Sequence, residues 1–170
     1  GKISLSEVLG FEEERDNFKL TVIKCKNYTH NSRYELPVKP SPNLAEMGAV
    51  YWYPSTCFFE GTVLSEGRGT GHPFQIFGHP KLPSSLYAFT PQSKAGASDP
   101  KLKDQLCYGW NLKEMNEPYP QQIQLQWLLN AYRLFPDKET FFLQPKKFSA
   151  NPSDYFFNKL AGNSELMQQI

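Results

Sequence analysis

The chain has 170 residues, a net charge of +1, 39% hydrophobic and 15% aromatic residues, and 3 cysteines. That length suits one large domain, or a domain with an appendage, that buries a core without staples. The balanced charge excludes a field that would steer the protein to nucleic acid or an anionic membrane, and no apolar stretch reaches the roughly 18–20 residues of a membrane span.

Residues 1–20 lack the basic start and apolar centre of a signal peptide. Residues 4–15 read as an opening helix with Ser4 as N-cap, weakened by Gly10. Phe18, Leu20 and Val22 alternate with more polar residues, so the spacing predicts a strand over 18–25. Pro37, Pro40 and Pro42 force an extended loop that carries Ser41 and Asn43 as polar teeth. Residues 49–53 suggest a short strand ending at Pro54. A strand is expected at 73–78, another near Tyr87–Thr90 within the long irregular stretch 79–104, and a third at 105–112. Residues 120–135 carry the clearest helical pattern, from Pro120 in the first turn to the stop at Pro136. Asn151-Pro152-Ser153-Asp154 opens another helix, which runs through Leu160 to a C-cap at Gly162, and residues 164–170 add one or two helical turns. Strands and helices alternate without regular βαβ spacing. The expected class is therefore α+β, with a mixed, mostly antiparallel, partly curled sheet and packed helices in a single domain, 1–170.

Residues 56–78 hold the candidate chemistry. Glu60, Glu66 and Arg68 lie among Gly61, Gly67, Gly69 and Gly71, with Ser65 and Thr70 as hydroxyls. Glycines at this density mark special backbone angles or a ligand close to the main chain. The two carboxylates suit acid–base work on a glycosidic bond, which needs a controlled carboxyl separation. The structural alternative is that Glu66 pairs with Arg68, or that both carboxylates cap backbone amides. Arg68 can offer its fork to a carboxylate ligand or form a structural salt bridge. No GxxxxGK[ST] loop is present, which disfavours nucleotide binding. His30, His72 and His79 are too scattered for a metal site; His72 and His79 suit hydrogen-bonding loop roles, and His30, in a polar turn after a strand, suits a substrate contact. Tyr51, Trp52 and Tyr53 suit either a stacking wall for a sugar or the end of a core strand. Cys25, Cys57 and Cys107 form no CxxC pair and read as small buried hydrophobes.

Ser41-Pro42-Asn43, Tyr53-Pro54, Cys57-Phe58-Phe59-Glu60-Gly61-Thr62, Ser65-Glu66-Gly67-Arg68-Gly69-Thr70 and Pro73-Phe74 together resemble the signature of NamZ-type exo-β-N-acetylmuramidases. Phe89-Thr90-Pro91, Cys107-Tyr108-Gly109 and the closing 154–162 segment fall in the same order. Val63-Leu64 departs from the more common Asn-Leu, and Phe74-Gln75 from Phe-Glu.

The resemblance implies a bacterial, periplasmic or secreted glycoside hydrolase of cell-wall recycling. It removes N-acetylmuramic acid from the non-reducing end of peptidoglycan fragments, without a cofactor or metal. It also implies two lobes, of which this chain matches the C-terminal one; the Rossmann-like N-terminal lobe and a main catalytic carboxylate lie outside it. The chain alone is then expected to be inactive. Its partners would be muramyl sugars and the other lobe, with no nucleic acid and no membrane span. Carried onto this sequence, Glu66 and Glu60 are the candidate acid–base residues, with Glu66 expected to face the cleft. Arg68, Ser65, Thr70, Asn43, Ser41, His72 and Tyr53 are the candidate substrate contacts. The alternative is a carbohydrate-binding or lobe-docking domain without catalysis.

Overall fold

The computed structural model describes residues 21–29, 31–115, 119, 121–145 and 151–170. The expected helix at 4–15, the first part of the expected strand at 18–25, His30 and Pro120 lie outside the described residues. The chain divides into two compact units, Gly1–Tyr34 and Glu35–Ile170.

In the first unit residues 21–25 form no strand. Val22 is 69% and Ile23 91% exposed. Alternation makes a strand only where a neighbour completes the hydrogen-bond ladder and covers one face; among the described residues none does so here. Asn27, at φ 58°, takes the left-handed conformation that Asn tolerates. Beyond it a turn closes as Ser32 N–H donates to Thr29 O at 3.0 Å and Thr29 N–H to Ser32 Oγ at 2.8 Å.

The second unit is α+β. Helix α1 spans Met47–Thr56 and runs into a 3-10 turn, Cys57–Gly61. Three strands follow, β1 Ile76–His79, β2 Tyr87–Phe89 and β3 Cys107–Asn111. They form an open antiparallel sheet in the order β1-β3-β2, with Gly78 opposite Gly109 and Phe89 opposite Cys107. Helices α2 Gln126–Leu134, α3 Phe156–Ala161 and α4 Glu165–Gln169 complete the unit. Gly162 ends α3 in the left-handed conformation, at φ 73°.

The core is largely aromatic. Phe59 stacks on Phe77 with ring centroids 4.1 Å apart, and Phe77 on Trp110 at 5.2 Å. Leu128 and Ala131 of α2, then Phe135, Phe141 and Phe157, fill the space around them. Burial of 128, 131 and 135 follows the helical period and fixes the inner face of α2.

The expected strand at 49–53 is a helix. Gly48, Ala49, Trp52, Ser55 and Thr56 are its buried residues, a spacing of three and four rather than two. Pro54 sits inside α1 and removes one helical donor. β1 starts at Ile76, later than expected, because Phe74 adopts φ 60° and turns the chain. Helix α2 starts at Gln126; before it Gln124 N–H is taken by Ser55 Oγ at 2.9 Å.

Candidate functional site

The glycine-rich segment is pinned to the sheet rather than free. Ser65 N–H donates to Gly78 O at 2.9 Å and Gly78 N–H returns to Ser65 O at 3.1 Å, which docks the loop on the open edge of β1. Gly67 and Gly69 both adopt φ +81°. A Cβ at Gly67 would stand 2.5 Å from Ile76 O, and one at Gly69 2.5 Å from Gln92 O. Both positions therefore demand glycine for angle and for space. The hydroxyls serve the same turns: Ser65 Oγ accepts from Gly67 N–H at 3.2 Å, and Thr70 Oγ1 donates to Gly67 O at 2.6 Å.

These constraints bring two carboxylates onto one guanidinium. Arg68 Nη1 donates to Glu60 Oε2 at 2.9 Å and to Glu66 Oε1 at 3.3 Å. Both contacts fall on one nitrogen, so among the described residues Nη2 and Nε make no hydrogen bond. The guanidinium carbon lies 4.9 Å from the centroid of the Phe74 ring, which supports it by cation–π attraction. Tyr53 packs edge-on against the same ring at 4.9 Å. Burial, and then the nearby Glu60 charge, push the Tyr53 hydroxyl above its ordinary pKa.

The arginine opens onto a pocket of about 440 Å³ lined by Asn43, Arg68, Gly96, Ala97, Ser98, Asp99 and Pro100. Asn43 Nδ2 donates to Gly96 O at 2.9 Å, and Asn43 N–H to Ser41 Oγ at 3.2 Å. Asn43 therefore joins the proline loop to the 94–97 turn, and Ser41 shapes the turn beneath it.

Glu66 is buried where sequence reasoning turns it toward a cleft. Its side chain is 2% exposed, against 16% for Glu60 and 33% for Arg68. Glu66 Oε2 lies 2.9 Å from Lys101 Nζ. That approach is ionic rather than a directed hydrogen bond, so the oxygen has no aligned donor. A proton-transfer group must reach the reacting atoms, and of the two carboxylates Glu60 is the one that meets solvent.

Lys101 is the residue that sequence reasoning missed. It sits in a loop after Pro100 with no pattern to single it out, although the unusual length of the 79–104 stretch was a signal. Asp99 of the pocket was missed for the same reason.

His72 belongs to a different cluster. Its Nδ1 is 3.3 Å from Lys113 Nζ and 3.9 Å from Glu46 Oε2. Lys113 donates to Glu46 at 3.0 Å and holds that carboxyl below the usual range, against the upward push of burial. Trp52 is core and Tyr51 packs on Tyr119, so only Tyr53 remains of the proposed wall. His79 is buried: its Nδ1 accepts from Lys81 N–H at 3.0 Å and its ring packs edge-on against Phe135. Of the cysteines only Cys107 is buried; Cys57 is half-buried and Cys25 exposed. Among the described residues no three His, Cys, Asp or Glu side chains converge on a metal position, and no helix is long and apolar enough to cross a membrane.

Comparison with known proteins covers this site. A family model described as exo-beta-N-acetylmuramidase NamZ, C-terminal, matches residues 51–170, which include Glu60, Glu66, Arg68 and Lys101. The peptidoglycan beta-N-acetylmuramidase NamZ of Bacillus subtilis is 30% identical over 168 residues, covering 89% of this chain and 38% of that protein. The crystal structure of a DUF1343 family protein from Bacteroides fragilis superposes with a TM-score of 0.75 at 42% identity, covering 88% of this chain and 40% of the other. The chain thus spans about two fifths of the length of each relative.

Proposed function

The chain belongs to the NamZ C-terminal family, and from that premise we propose that it is the substrate lobe of a peptidoglycan-recycling glycoside hydrolase. The full-length enzyme, periplasmic or secreted, releases terminal N-acetylmuramic acid from the non-reducing end of cell-wall fragments. Its N-terminal lobe supplies the main catalytic carboxylate, and this chain alone binds without turnover.

The observation that carries the reading is the Nη2–Nε edge of Arg68, a residue that lines the pocket; that edge makes no hydrogen bond among the described residues. N-acetylmuramic acid differs from N-acetylglucosamine by a lactyl carboxylate. A guanidinium edge receives such a group through two parallel charge-assisted hydrogen bonds. Glu60 holds Nη1 from the other side and keeps an oxygen for a sugar hydroxyl. Phe74, with Tyr53 packed edge-on against it, backs the guanidinium with an apolar surface, and Asn43 and Asp99 line the same pocket with polar groups. Glu66 steadies Arg68 from below and touches no ligand.

Titration calorimetry of the chain with N-acetylmuramic acid and with N-acetylglucosamine tests this. Tighter binding of the acid is expected, and Arg68→Gln should reduce it roughly 10–100-fold, as loss of a charged hydrogen-bond pair does. In the full-length protein the same change should slow release of N-acetylmuramic acid from a chromogenic β-glycoside. Equal binding of both sugars, or unaltered release by Arg68→Gln, would refute the assignment.

A further inference from the structure

Lys101 makes an unusual set of contacts. Its ammonium donates to Phe59 O at 2.9 Å, Leu64 O at 2.9 Å, Thr62 O at 3.1 Å and Glu60 O at 3.4 Å. Glu66 Oε2 is a fifth oxygen, at 2.9 Å. An ammonium has three protons, so five oxygens surround it much as they would a bound monovalent cation. Four of them are carbonyls from one six-residue stretch, and their converging dipoles need a positive charge at the centre.

The consequence for Arg68 follows from counting charges. Glu60 and Glu66 are two carboxylates; Arg68 and Lys101 are two cations. Because Lys101 takes Glu66 Oε2, Arg68 has to give the buried carboxylate only Nη1, the nitrogen it already shares with Glu60. A buried carboxylate without a cation is costly. If the ammonium is absent, Arg68 is the cation left beside Glu66, and turning to meet it with both terminal nitrogens takes its outer edge out of the pocket.

We propose that Lys101 is a positioning residue of the site: by neutralising Glu66 it frees the Nη2–Nε edge of Arg68 to face the ligand. This rests on the reading that Arg68 receives the ligand carboxylate, and it assigns the freedom of that edge to a residue 33 positions away in the chain.

The test separates this role from simple clamping of carbonyls. Lys101→Met removes the charge, and Lys101→Gln removes it while keeping donors for the carbonyls, which guards against loss of the fold. Either change should weaken N-acetylmuramic acid binding by about tenfold, the scale of one charged hydrogen bond, and leave N-acetylglucosamine binding alone. Adding Glu66→Gln removes the charge that competes for Arg68, so the double variants should recover most of that affinity. A residue that only clamps the loop would not be rescued in this way. Nitrogen–proton spectra of the Arg68 Nε–H give a readout without ligand: the signal should move in Lys101→Gln and return in Lys101→Gln/Glu66→Gln. If the wild-type chain binds neither sugar, the functional reading fails while the spectra still decide the role of Lys101. Unchanged spectra in Lys101→Gln, or single and double variants equally displaced, would overturn the proposal.

Discussion

Lys101 and Lys138 both gather carbonyl oxygens, with different consequences. Lys138 Nζ donates to Arg133 O at 2.8 Å, to Phe135 O at 2.6 Å and to Tyr132 O, closing the C-terminal end of α2. It is exposed, so Lys138→Ala should lower stability by only about 0.3–1 kcal/mol, the value of a cation at a helix C-terminus. Thermal unfolding would measure that change, and sugar binding should not respond. The cysteines make a second contrast. Burial pushes the Cys107 thiol up to about 12, and burial followed by the Glu60 charge raises Cys57. Only thiolates alkylate rapidly. Mass spectrometry after iodoacetamide at about pH 8, below the free-thiol value, should therefore find Cys25 modified first, Cys57 slowly and Cys107 only on unfolding. Early modification of Cys107 would show that its strand opens readily. At this scale the sequence held part of the site. Glu60, Glu66 and Arg68 were legible because charge among glycines has no role in a simple core. The direction of Glu66 was not legible, because it depends on Lys101, a contact closed across 35 residues that leaves no local pattern. Ser65 and Thr70 were legible as polar but not as turn-holders, since hydroxyls bond to ligand and backbone alike.

The sheet depends on a pair of opposed glycines. Gly78 and Gly109 face each other across β1 and β3. A Cβ at Gly109 would stand 1.8 Å from Phe77 O, and one at Gly78 2.2 Å from Tyr108 O, both backbone atoms that cannot step aside. Gly109→Ala should therefore cost at least the roughly 1–3 kcal/mol of an overpacked core. Ser65 would also lose its footing on Gly78, so the site should loosen with the strand. Gly71 is the control: a Cβ there would meet nothing within 4 Å, and its φ lies outside the left-handed range. Gly71→Ala should be neutral or stabilise by about 0.4–1 kcal/mol. Urea midpoints for the two variants measure the difference, and equal midpoints would refute it. Helix α2 was legible because its period matches its burial, whereas β1 is buried at all four positions and carries no alternation of its own. Helix α1 was not, since Val50, Tyr51 and Tyr53 flank its buried Trp52 and imitate a strand that stops at Pro54. Its true inner face is carried by Gly48, Ala49, Ser55 and Thr56, small or polar residues that register weakly as apolar. Residues 21–25 show the reverse failure, an apolar alternation with no neighbouring strand among the described residues.

Stability of the larger unit should be bounded by one buried group on each side of neutrality. His79 is 9% exposed, and burial, followed by the Lys81 charge, lowers its pKa below 6.5. In the unfolded chain His79 takes a proton near pH 6.5, while in the fold it resists one. Below that pH the unfolded state binds more protons, so the stabilisation is complete above pH 6.5 and is lost as pH falls toward the folded value. Protonation would also cost the bond that Nδ1 accepts from Lys81 N–H. Cys107 acts on the alkaline side with the opposite sign. Its folded pKa is raised, from 9.0 to about 12, so the unfolded thiol loses its proton first. Stability from the neutral thiol is therefore complete below pH 9 and falls as pH rises toward 12. A single proton limits each slope to about 1.4 kcal/mol per pH unit. Urea unfolding across this range should give a plateau with two shoulders. His79→Asn, which keeps an acceptor for Lys81 N–H, should flatten the acid shoulder between roughly pH 5 and 6.5, above the range where most carboxylates titrate. Cys107→Ala should lower the plateau through lost packing and remove the alkaline shoulder. An acid shoulder that persists between roughly pH 5 and 6.5 in His79→Asn would refute the assignment to His79, because Glu46, whose carboxyl Lys113 holds below 4.5, loses its contribution only at lower pH.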